Sequence, residues 1–220
     1  MDETAKFRPA GAIFDMDGLM LDTERPIIPL WQKAAQSFGW DVPQEMKLRA
    51  IGRNGDDIRA MFMAEYGSNF PYEGIRQELN RLTSEQFEKG IPCKPGLRAL
   101  LDHLAFLGVP LAVATSTGRD RALWKLRIAG ILDRFAVFAC GDEVRQGKPA
   151  PDVFLLAAQR LGKPPSACVG FEDSPAGLQG LCAAGIRSVF VKDLLEPPPE
   201  VLAAVWRRCG DLGEAVELFG

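Results

Sequence analysis

Two acidic side chains, Asp15 and Asp17, lie two residues apart directly after the short apolar run 11–14. An apolar run that ends in an acid is typical of a buried strand that delivers a carboxylate at its carboxyl end. Such a pair can supply a nucleophile and a proton carrier. A calcium-binding loop needs an oxygen ligand at its fifth position and glycine at its sixth, whereas this chain has Leu19 fifth and Gly18 fourth. An ordinary turn is the alternative that remains.

Three hydroxyl side chains, Thr115, Ser116 and Thr117, follow one another at the end of a second apolar run, 109–115. They precede a helix predicted to begin near Arg119, and backbone amides at the start of a helix bind anions well. Helix capping accounts equally well for one of the hydroxyls. By itself the triplet therefore leaves capping and anion binding open.

A lysine and a second pair of acids follow later in the chain. Lys148 lies in the Gly-Lys-Pro loop 147–149, which proline stiffens ahead of a predicted helix; ordinary surface exposure is the alternative for a single lysine. Glu172 and Asp173 follow the apolar run 167–170, and capping of the next helix is the alternative for them. Together the strand-end segments supply the groups that phosphoryl transfer needs: a carboxylate nucleophile, a proton carrier, anion-binding groups, a cation and ligands for a hard metal.

Apolar runs of strand length recur along the chain and are separated by segments with helical spacing. The runs are 11–14, 109–115, 135–140, 167–170 and 187–191. This alternation predicts an α/β fold with a Rossmann-like, doubly wound parallel sheet covered by helices on both faces. In such a sheet, ligands bind beyond the carboxyl ends of the strands, which is where the candidate side chains lie.

The pattern changes between the first and second strands, where three amphipathic stretches follow one another without a convincing strand. These stretches are 27–38, 56–66 and 73–89. Proline and glycine at both junctions suit hinges. We predict an inserted α-helical cap domain at 25–93 and a discontinuous catalytic core formed by 1–24 and 94–220. The alternative is that the helices simply pack as part of one domain.

Composition limits the range of partners. The 220 residues carry 26 basic and 29 acidic side chains without a basic stripe, so we do not expect nucleic acid to be a partner. No apolar segment reaches the length of a membrane span, and residues 1–10 lack the apolar stretch of a targeting signal, so we expect no membrane association and a cytoplasmic location. The five cysteines form no Cys-x-x-Cys pair, which predicts reduced structural thiols.

The order of the motifs, Asp-x-Asp, then Thr/Ser, then Lys, then an acidic pair, resembles the haloacid dehalogenase superfamily, in particular its β-phosphoglucomutase-like and phosphatase branch with a helical cap. The resemblance extends over nearly the whole chain and is most specific in segments 15–24, 147–152 and 170–177. It implies that Asp15 is the nucleophile that becomes an aspartyl phosphate. It also implies that Asp17 protonates the leaving alcohol and then activates water.

The same resemblance implies a bound Mg²⁺. Its implied ligands are Asp15, the backbone carbonyl of Asp17, Asp173 and, directly or through water, Glu172. Lys148 would neutralise charge on the nucleophile and the phosphate, while Thr115 and the amide of Ser116 would hold the phosphoryl oxygens.

These implications predict a Mg²⁺-dependent phosphatase that hydrolyses a small phosphorylated metabolite, a sugar phosphate or a nucleotide-like compound. A sugar-phosphate mutase is the first alternative; it is weakened because its cap has a histidine where this chain has Ile27 and an arginine where we align Gly55, although Arg53 could replace that arginine. A catalytically inert binding module is the other alternative. We expect a monomer, with a dimer as the alternative. The candidate contacts to the leaving group are Arg25, Arg53, Asn54 and Arg119.

Overall fold

The structure is a computed structural model that describes residues 6–220; residues 1–5, part of the predicted first core segment and of the stretch expected to carry no targeting signal, lie outside it. The strands are β1 (Gly11–Phe14), β2 (Leu111–Ala114), β3 (Val137–Ala139), β4 (Cys168–Glu172), β5 (Arg187–Val191) and β6 (Arg207–Cys209). The helices are α1 (Glu24–Gln36), α2 (Gln44–Arg49), α3 (Gly55–Tyr66), α4 (Tyr72–Phe87), α5 (Leu97–Phe106), α6 (Arg119–Ile128), α7 (Asp152–Leu161), α8 (Pro175–Ala183) and α9 (Pro199–Ala203). Within residues 6–220, no helix combines the length and the apolar character needed to cross a membrane.

The six strands form one parallel sheet in the order β3-β2-β1-β4-β5-β6. The chain starts at β1, in the middle, extends to one side through β2 and β3, and then returns to build the other side from β4. This reversal next to β1 is the topological switch point, where ligands bind in open α/β sheets. The ends of β1, β2 and β4 therefore meet at one place, and each carries one of the candidate motifs.

Alternate residues of the central strands face two different helical layers. Ala12 and Phe14 of β1 are buried in a cluster that includes Leu101 of α5 and Leu126 of α6. Ile13, between them, is buried on the opposite face in a cluster with residues of α7 and α8. Burial on both faces explains why the strands are continuous apolar runs rather than alternating ones. The predicted doubly wound parallel sheet is confirmed.

Helices α1–α4 pack around an apolar cluster of their own, which contains Trp31, Phe62 and Tyr72. The Trp31 and Phe62 rings stack with centroids 5.0 Å apart. Among residues 6–220, this cluster shares no buried residue with the clusters on the sheet. The arrangement agrees with an inserted helical unit, and the domain boundaries at 25 and 93 stay a prediction.

Two elements differ from the expectation. Helix α2 has only six residues, too short for the helical period to be read from its sequence. Strand β6 has the sequence Arg-Arg-Cys and pairs only with β5 at the edge of the sheet, so it lacks the apolar run that marks a buried strand. The cysteines agree with the expectation: all five are free thiols.

Candidate active site

Asp15 lies at the carboxyl end of β1, where its backbone N–H donates to the carbonyl oxygen of Phe171 in β4 at 3.1 Å. This bond continues the pairing of the two central strands one residue beyond β1, so the position of Asp15 is set by the sheet. Its side chain is buried, 6% exposed, and accepts a hydrogen bond from Lys148 Nζ at 2.5 Å. The carboxylate therefore has one fixed orientation at the edge of the sheet.

Lys148 is buried, with 1% exposure, which excludes the surface alternative for this lysine. Its Nζ donates to Asp15 Oδ1 at 2.5 Å and to Glu172 Oε1 at 2.6 Å, and it lies 4.8 Å from the ring centroid of Phe154. Burial alone would lower the pKa of Lys148, but the charges of Asp15 and Glu172 raise it above its usual value. Lys148 is therefore a fixed cation between two carboxylates.

Glu172 and Asp173 differ in how their oxygens are satisfied. Glu172 Oε2 accepts from the backbone N–H groups of Asp173 and Ser174 and from Ser174 Oγ, each at 2.9 Å, while Lys148 binds Oε1. In contrast, Asp173 Oδ1 is buried and has no hydrogen-bond partner among residues 6–220. A buried carboxylate oxygen without a partner is costly unless a cation binds it.

Asp15, Glu172 and Asp173 each offer an oxygen, and these atoms lie within 4.8 Å of one another. Burial raises the pKa of Asp173 well above its usual value, and the charges of Glu172 and Asp15 raise it further. Burial also raises the pKa of Asp15, although Lys148 opposes that shift. Buried oxygens that repel one another are the donor set that hard divalent cations prefer, so these residues fit a metal ion.

Gly18 allows the two acidic segments to approach. It has a φ of 87°, a left-handed conformation that side chains rarely adopt, and a Cβ added to it would lie 2.4 Å from Asp173 Oδ2. Any larger residue at this position would push the loop after β1 away from Asp173. The glycine therefore serves the spacing of the site as well as the turn.

Asp17 has a full set of partners around its carboxylate. Lys125 Nζ donates to Oδ1 at 2.5 Å, Thr23 Oγ1 donates to Oδ1 at 2.7 Å, and Thr117 Oγ1 donates to Oδ2 at 2.7 Å. Burial would raise the pKa of Asp17, but the charge of Lys125 and these hydrogen bonds together lower it. The arrangement holds Asp17 as an oriented carboxylate.

Sequence reasoning did not identify Lys125 and Thr23 as site residues. Lys125 comes from the last turn of α6, is 4% exposed, and reaches a carboxylate 108 positions earlier in the chain. No local motif signals such a contact. Thr23 lies within the segment 15–24 that carries the resemblance, and this position is the signal that could have identified it.

The hydroxyl triplet lies where the sequence expects an anion-binding loop. Thr115 is buried and its Oγ1 accepts a hydrogen bond from the N–H of Thr117 at 3.1 Å. Ser116 Oγ donates to the carbonyl oxygen of Gly52 at 2.9 Å, which joins this loop to the helical insertion. All three hydroxyl residues line a cavity of about 110 Å³, the catalytic cavity, together with Asp15 and Asp17.

Of the four candidate contacts to the leaving group, Arg53 lines the catalytic cavity. The other three have partners within the protein, and their contact with the leaving group stays a prediction. Arg25 pairs with Asp22 and Asp193, Asn54 caps α3 by accepting from the N–H of Asp57, and Arg119 pairs with Glu143. Their side chains satisfy charges and helix ends, and the sequence offered no sign of these partners.

A family model for haloacid dehalogenase-like hydrolases matches residues 9–185, which include every residue of the site. The chain belongs to this family. Within it, a protein from Drosophila melanogaster named probable pseudouridine-5'-phosphatase is 36% identical over 189 residues, covering 82% of this chain and 80% of the relative. Hexitol phosphatase A from Escherichia coli is 34% identical over 192 residues, covering 87% of each protein. The predicted superfamily and the predicted enzyme class, a phosphoric monoester hydrolase, are confirmed.

The haloacid dehalogenase fold is also seen in the solved structure of a β-phosphoglucomutase from Clostridium difficile. It matches this chain with a TM-score of 0.81 and 23% identity, covering 94% of this chain and 92% of that one. At this identity the likeness shows the fold alone. The choice between hydrolysis and isomerisation must therefore come from the residues of the site.

Proposed function

We propose that the protein is a Mg²⁺-dependent phosphatase that hydrolyses a small phosphomonoester through a phosphoryl group carried on Asp15. The observation that carries this proposal is the buried array at the sheet edge. Lys148 fixes the orientation of Asp15 there, and Asp173 offers an oxygen that has no partner among residues 6–220. A structural ion pair needs no such free oxygen, whereas a metal-assisted reaction does.

The donor set supports Asp15, Asp173 and the backbone carbonyl of Asp17 as the residues that would hold the metal. Glu172 has a different part, because Lys148 and three further donors already satisfy its two oxygens. It would orient Lys148 and the start of α8, and contact the metal at most through water. When bound, a hard divalent cation neutralises charge on the phosphate and on the attacking carboxylate.

In the first step of the proposed reaction, a carboxylate oxygen of Asp15 attacks phosphorus and the bond to the leaving alcohol oxygen breaks. Asp17 supplies the proton that this oxygen takes up. In the second step, water attacks the phosphorus of the aspartyl phosphate and gives its proton to Asp17. Phosphate leaves and the Asp15 carboxylate is restored, so one residue carries the proton in both steps.

The remaining contacts support particular tasks in these steps. Lys125, Thr23 and Thr117 hold the Asp17 carboxylate towards the catalytic cavity, where it would exchange a proton with the leaving alcohol oxygen and then with water. Thr115 and the Ser116 amide would bind phosphoryl oxygens. Fixed donors and cations of this kind stabilise the transition state because they need no reorganisation during the reaction.

The helical insertion, residues 25–93, is proposed to act as a cap that selects the leaving group. Ser116 bridges it to the phosphate-binding loop through Gly52, and Arg53 and Ile27 of the insertion line the catalytic cavity. Relatives named for a nucleotide-like phosphate and for hexitol phosphates support a phosphorylated carbohydrate or a related small metabolite. Hydrolysis is favoured over isomerisation because Ile27 offers no titratable group to the reacting centre.

The experiment is phosphate release from a panel of sugar phosphates, nucleotides and other small phosphomonoesters, with Mg²⁺ and with EDTA. We expect phosphate release from a few related compounds. EDTA should abolish this release, and added Mg²⁺ should restore it. Phosphorus NMR of the same mixtures separates hydrolysis from isomerisation, because a mutase yields new sugar phosphates rather than free phosphate. Magnesium-independent release, or isomers without release, would overturn the proposal.

A further inference from the structure

A second cavity of about 200 Å³, the leaving-group cavity, lies between the insertion and the core. Asp15 does not line it, and seven residues line both cavities: Ile27, Arg53, Ile58, Arg76, Ser116, Thr117 and Lys125. Because the phosphoryl group must lie next to Asp15, the rest of the substrate enters this second space. Its volume is below the roughly 300–1,000 Å³ of pockets for drug-sized ligands, so it suits a metabolite rather than a polymer.

The charge of the leaving-group cavity is of one sign. Its lining contains the basic residues Arg53, Arg76, Arg121 and Lys125 and no acidic residue. Lys125 is neutralised by Asp17. Among residues 6–220, none of the three arginines has a carboxylate within 4.0 Å, so their positive charges remain without a partner.

Arg76 and Arg121 reach this cavity from opposite sides, Arg76 from α4 of the insertion and Arg121 from α6 of the core. Both are half-buried, and Arg121 lies 5.3 Å from the ring centroid of Trp124. Burial lowers the pKa of Arg121 and the nearby charge of Arg76 lowers it further, so the two guanidinium groups repel each other across the gap. Each also presents N–H donors that no described protein group accepts.

Two acids influence these arginines without forming an ion pair with them: Asp17 acts on Arg121 and Glu24 acts on Arg76. Asp17 is already paired with Lys125. Glu24 lines the catalytic cavity but not the leaving-group cavity, and it forms no ion pair within 4.0 Å among residues 6–220. Burial and the charge of Asp17 raise the pKa of Glu24 to about 7, so near neutral pH it is only partly ionised. An arginine pair that faces a space lined by no acidic residue fits an anion between its members.

We propose that the substrate is a phosphomonoester whose leaving group carries a second anionic group, a phosphate or a carboxylate, held between Arg76 and Arg121. This rests on the proposed phosphatase function and names its substrate class. Because one arginine belongs to the insertion and the other to the core, the anion bridges the two and draws the insertion over the reacting phosphoryl group. Arg53 and Arg76 line both cavities.

The test compares matched substrates that differ only in the second anion: fructose 1-phosphate with fructose 1,6-bisphosphate, and ethyl phosphate with 2-phosphoglycolate. For the parent protein, kcat/KM is expected to be about 10-fold or more higher for the substrate of each pair that carries the second anionic group, because that group forms charge-assisted bonds to two guanidinium groups. In Arg76→Met and Arg121→Met this ratio falls to about 3 or less, while Arg121→Lys keeps an intermediate ratio. Arg59→Met, on an exposed arginine of α3 outside both cavities, keeps the parent's ratio.

Binding gives a readout that does not depend on turnover. In the Asp15→Asn background, calorimetry is expected to show tighter binding of fructose 1,6-bisphosphate than of fructose 1-phosphate by about 10-fold, and Arg121→Met removes the difference. Equal turnover and equal binding of both members by the parent would overturn this inference and leave the phosphatase function intact. A preference that survives in both arginine variants would overturn the assignment to Arg76 and Arg121. No turnover of any member, with or without Mg²⁺, would instead contradict the proposed function itself.

Discussion

The carboxyl edge of the sheet and the leaving-group cavity treat charge in opposite ways. At the sheet edge, Lys148 is shared by Asp15 and Glu172, and the buried Asp173 Oδ1 has no hydrogen-bond partner among residues 6–220. In the leaving-group cavity, Arg76 and Arg121 face each other and no acidic residue lines the space. The side chains at the sheet edge are therefore held in place by one another, whereas the two arginines of the leaving-group cavity remain available to bind a ligand.

This difference has a structural origin. Groups at the sheet edge follow the ends of strands, and the backbone pairing of those strands sets the position of each group. Arg76 and Arg121 in the leaving-group cavity are long side chains on α4 and α6, and among residues 6–220 neither has a carboxylate within 4.0 Å. We infer that the sheet positions the nucleophile and the acidic cluster, whereas these two helices line the space for the leaving group.

The largest effect is expected at the sheet edge, from Lys148→Met. Removal of the buried cation leaves Asp15 and Glu172 facing each other without compensation, which costs about 3–5 kcal/mol of folding free energy. Phosphate release should fall by at least about 10³-fold, because the nucleophile loses its fixed orientation and its neutralising charge. Urea unfolding in EDTA and initial rates in Mg²⁺ measure the two effects. Lys89→Met, on an exposed lysine, is the matched control and should change neither.

The unpartnered oxygen of Asp173 predicts the next effect. Mg²⁺ should raise the melting temperature of the parent, since an ion that binds only the native state stabilises it. Asp173→Asn should weaken Mg²⁺ binding by at least about 10-fold, measured by titration of melting temperature or by calorimetry. Asp133→Asn, which changes an exposed aspartate, should bind Mg²⁺ as the parent does. Unchanged Mg²⁺ affinity in Asp173→Asn would show that the metal does not bind at this cluster of acidic residues.

Lys125 lies between the two regions, since it pairs with Asp17 and lines both cavities. It is a positioning residue for the proton carrier, so Lys125→Met should lower kcat by about 10- to 100-fold, part of the contribution that general acid-base catalysis makes. KM should change less, because phosphate binding rests on other groups. Lys125→Arg should recover part of kcat. A change confined to KM, with kcat unaltered, would show that Lys125 binds substrate instead.

The smallest effect is a pH dependence of stability that comes from Glu24. Burial, helped by the charge of Asp17, raises the pKa of Glu24 from 4.5 to about 7, so the native state holds a proton in this range that the unfolded chain has lost. The stability that protonated Glu24 gives the native state is therefore lost as pH rises from 4.5 to about 7. The loss in the free energy of unfolding is at most about 3 kcal/mol.

Glu24→Gln should remove that slope and should be more stable than the parent above pH 7. Chemical unfolding in EDTA at several pH values measures it. A parent slope of the opposite sign between pH 5 and 7 that persists in the variant would show that other groups dominate this range.

Most of the sheet edge could be predicted from sequence because its acidic and hydroxyl groups follow apolar runs. Asp15, Thr115 and Glu172 are each next to or within a few residues of a strand end, so strand prediction and site prediction are the same step. Lys148 was recognised through its Gly-Lys-Pro loop. The sequence could not give its burial, because the two carboxylates that bind it lie at the ends of β1 and β4, away from it in the chain.

The leaving-group cavity could not be predicted in the same way. Arg76, Arg121 and Lys125 lie within helices, where a basic residue is normally a solvated one, and no spacing distinguishes them from exposed neighbours. Their importance arises only when α4 and α6 face each other. Conversely, Arg25 and Arg119 were plausible by position along the chain, but Asp193 and Glu143, which are distant in sequence, pair with them.

The central claim is that Asp15 carries the phosphoryl group. The most direct measurement is the rate of phosphate release, at saturating Mg²⁺ and on the best substrate of the panel, for Asp15→Asn beside Asp133→Asn. The amide keeps the size of the side chain but removes the nucleophile, so we predict a fall of at least about 10³-fold in Asp15→Asn and parent activity in Asp133→Asn. Retention of a tenth or more of the parent rate by folded Asp15→Asn would contradict the account.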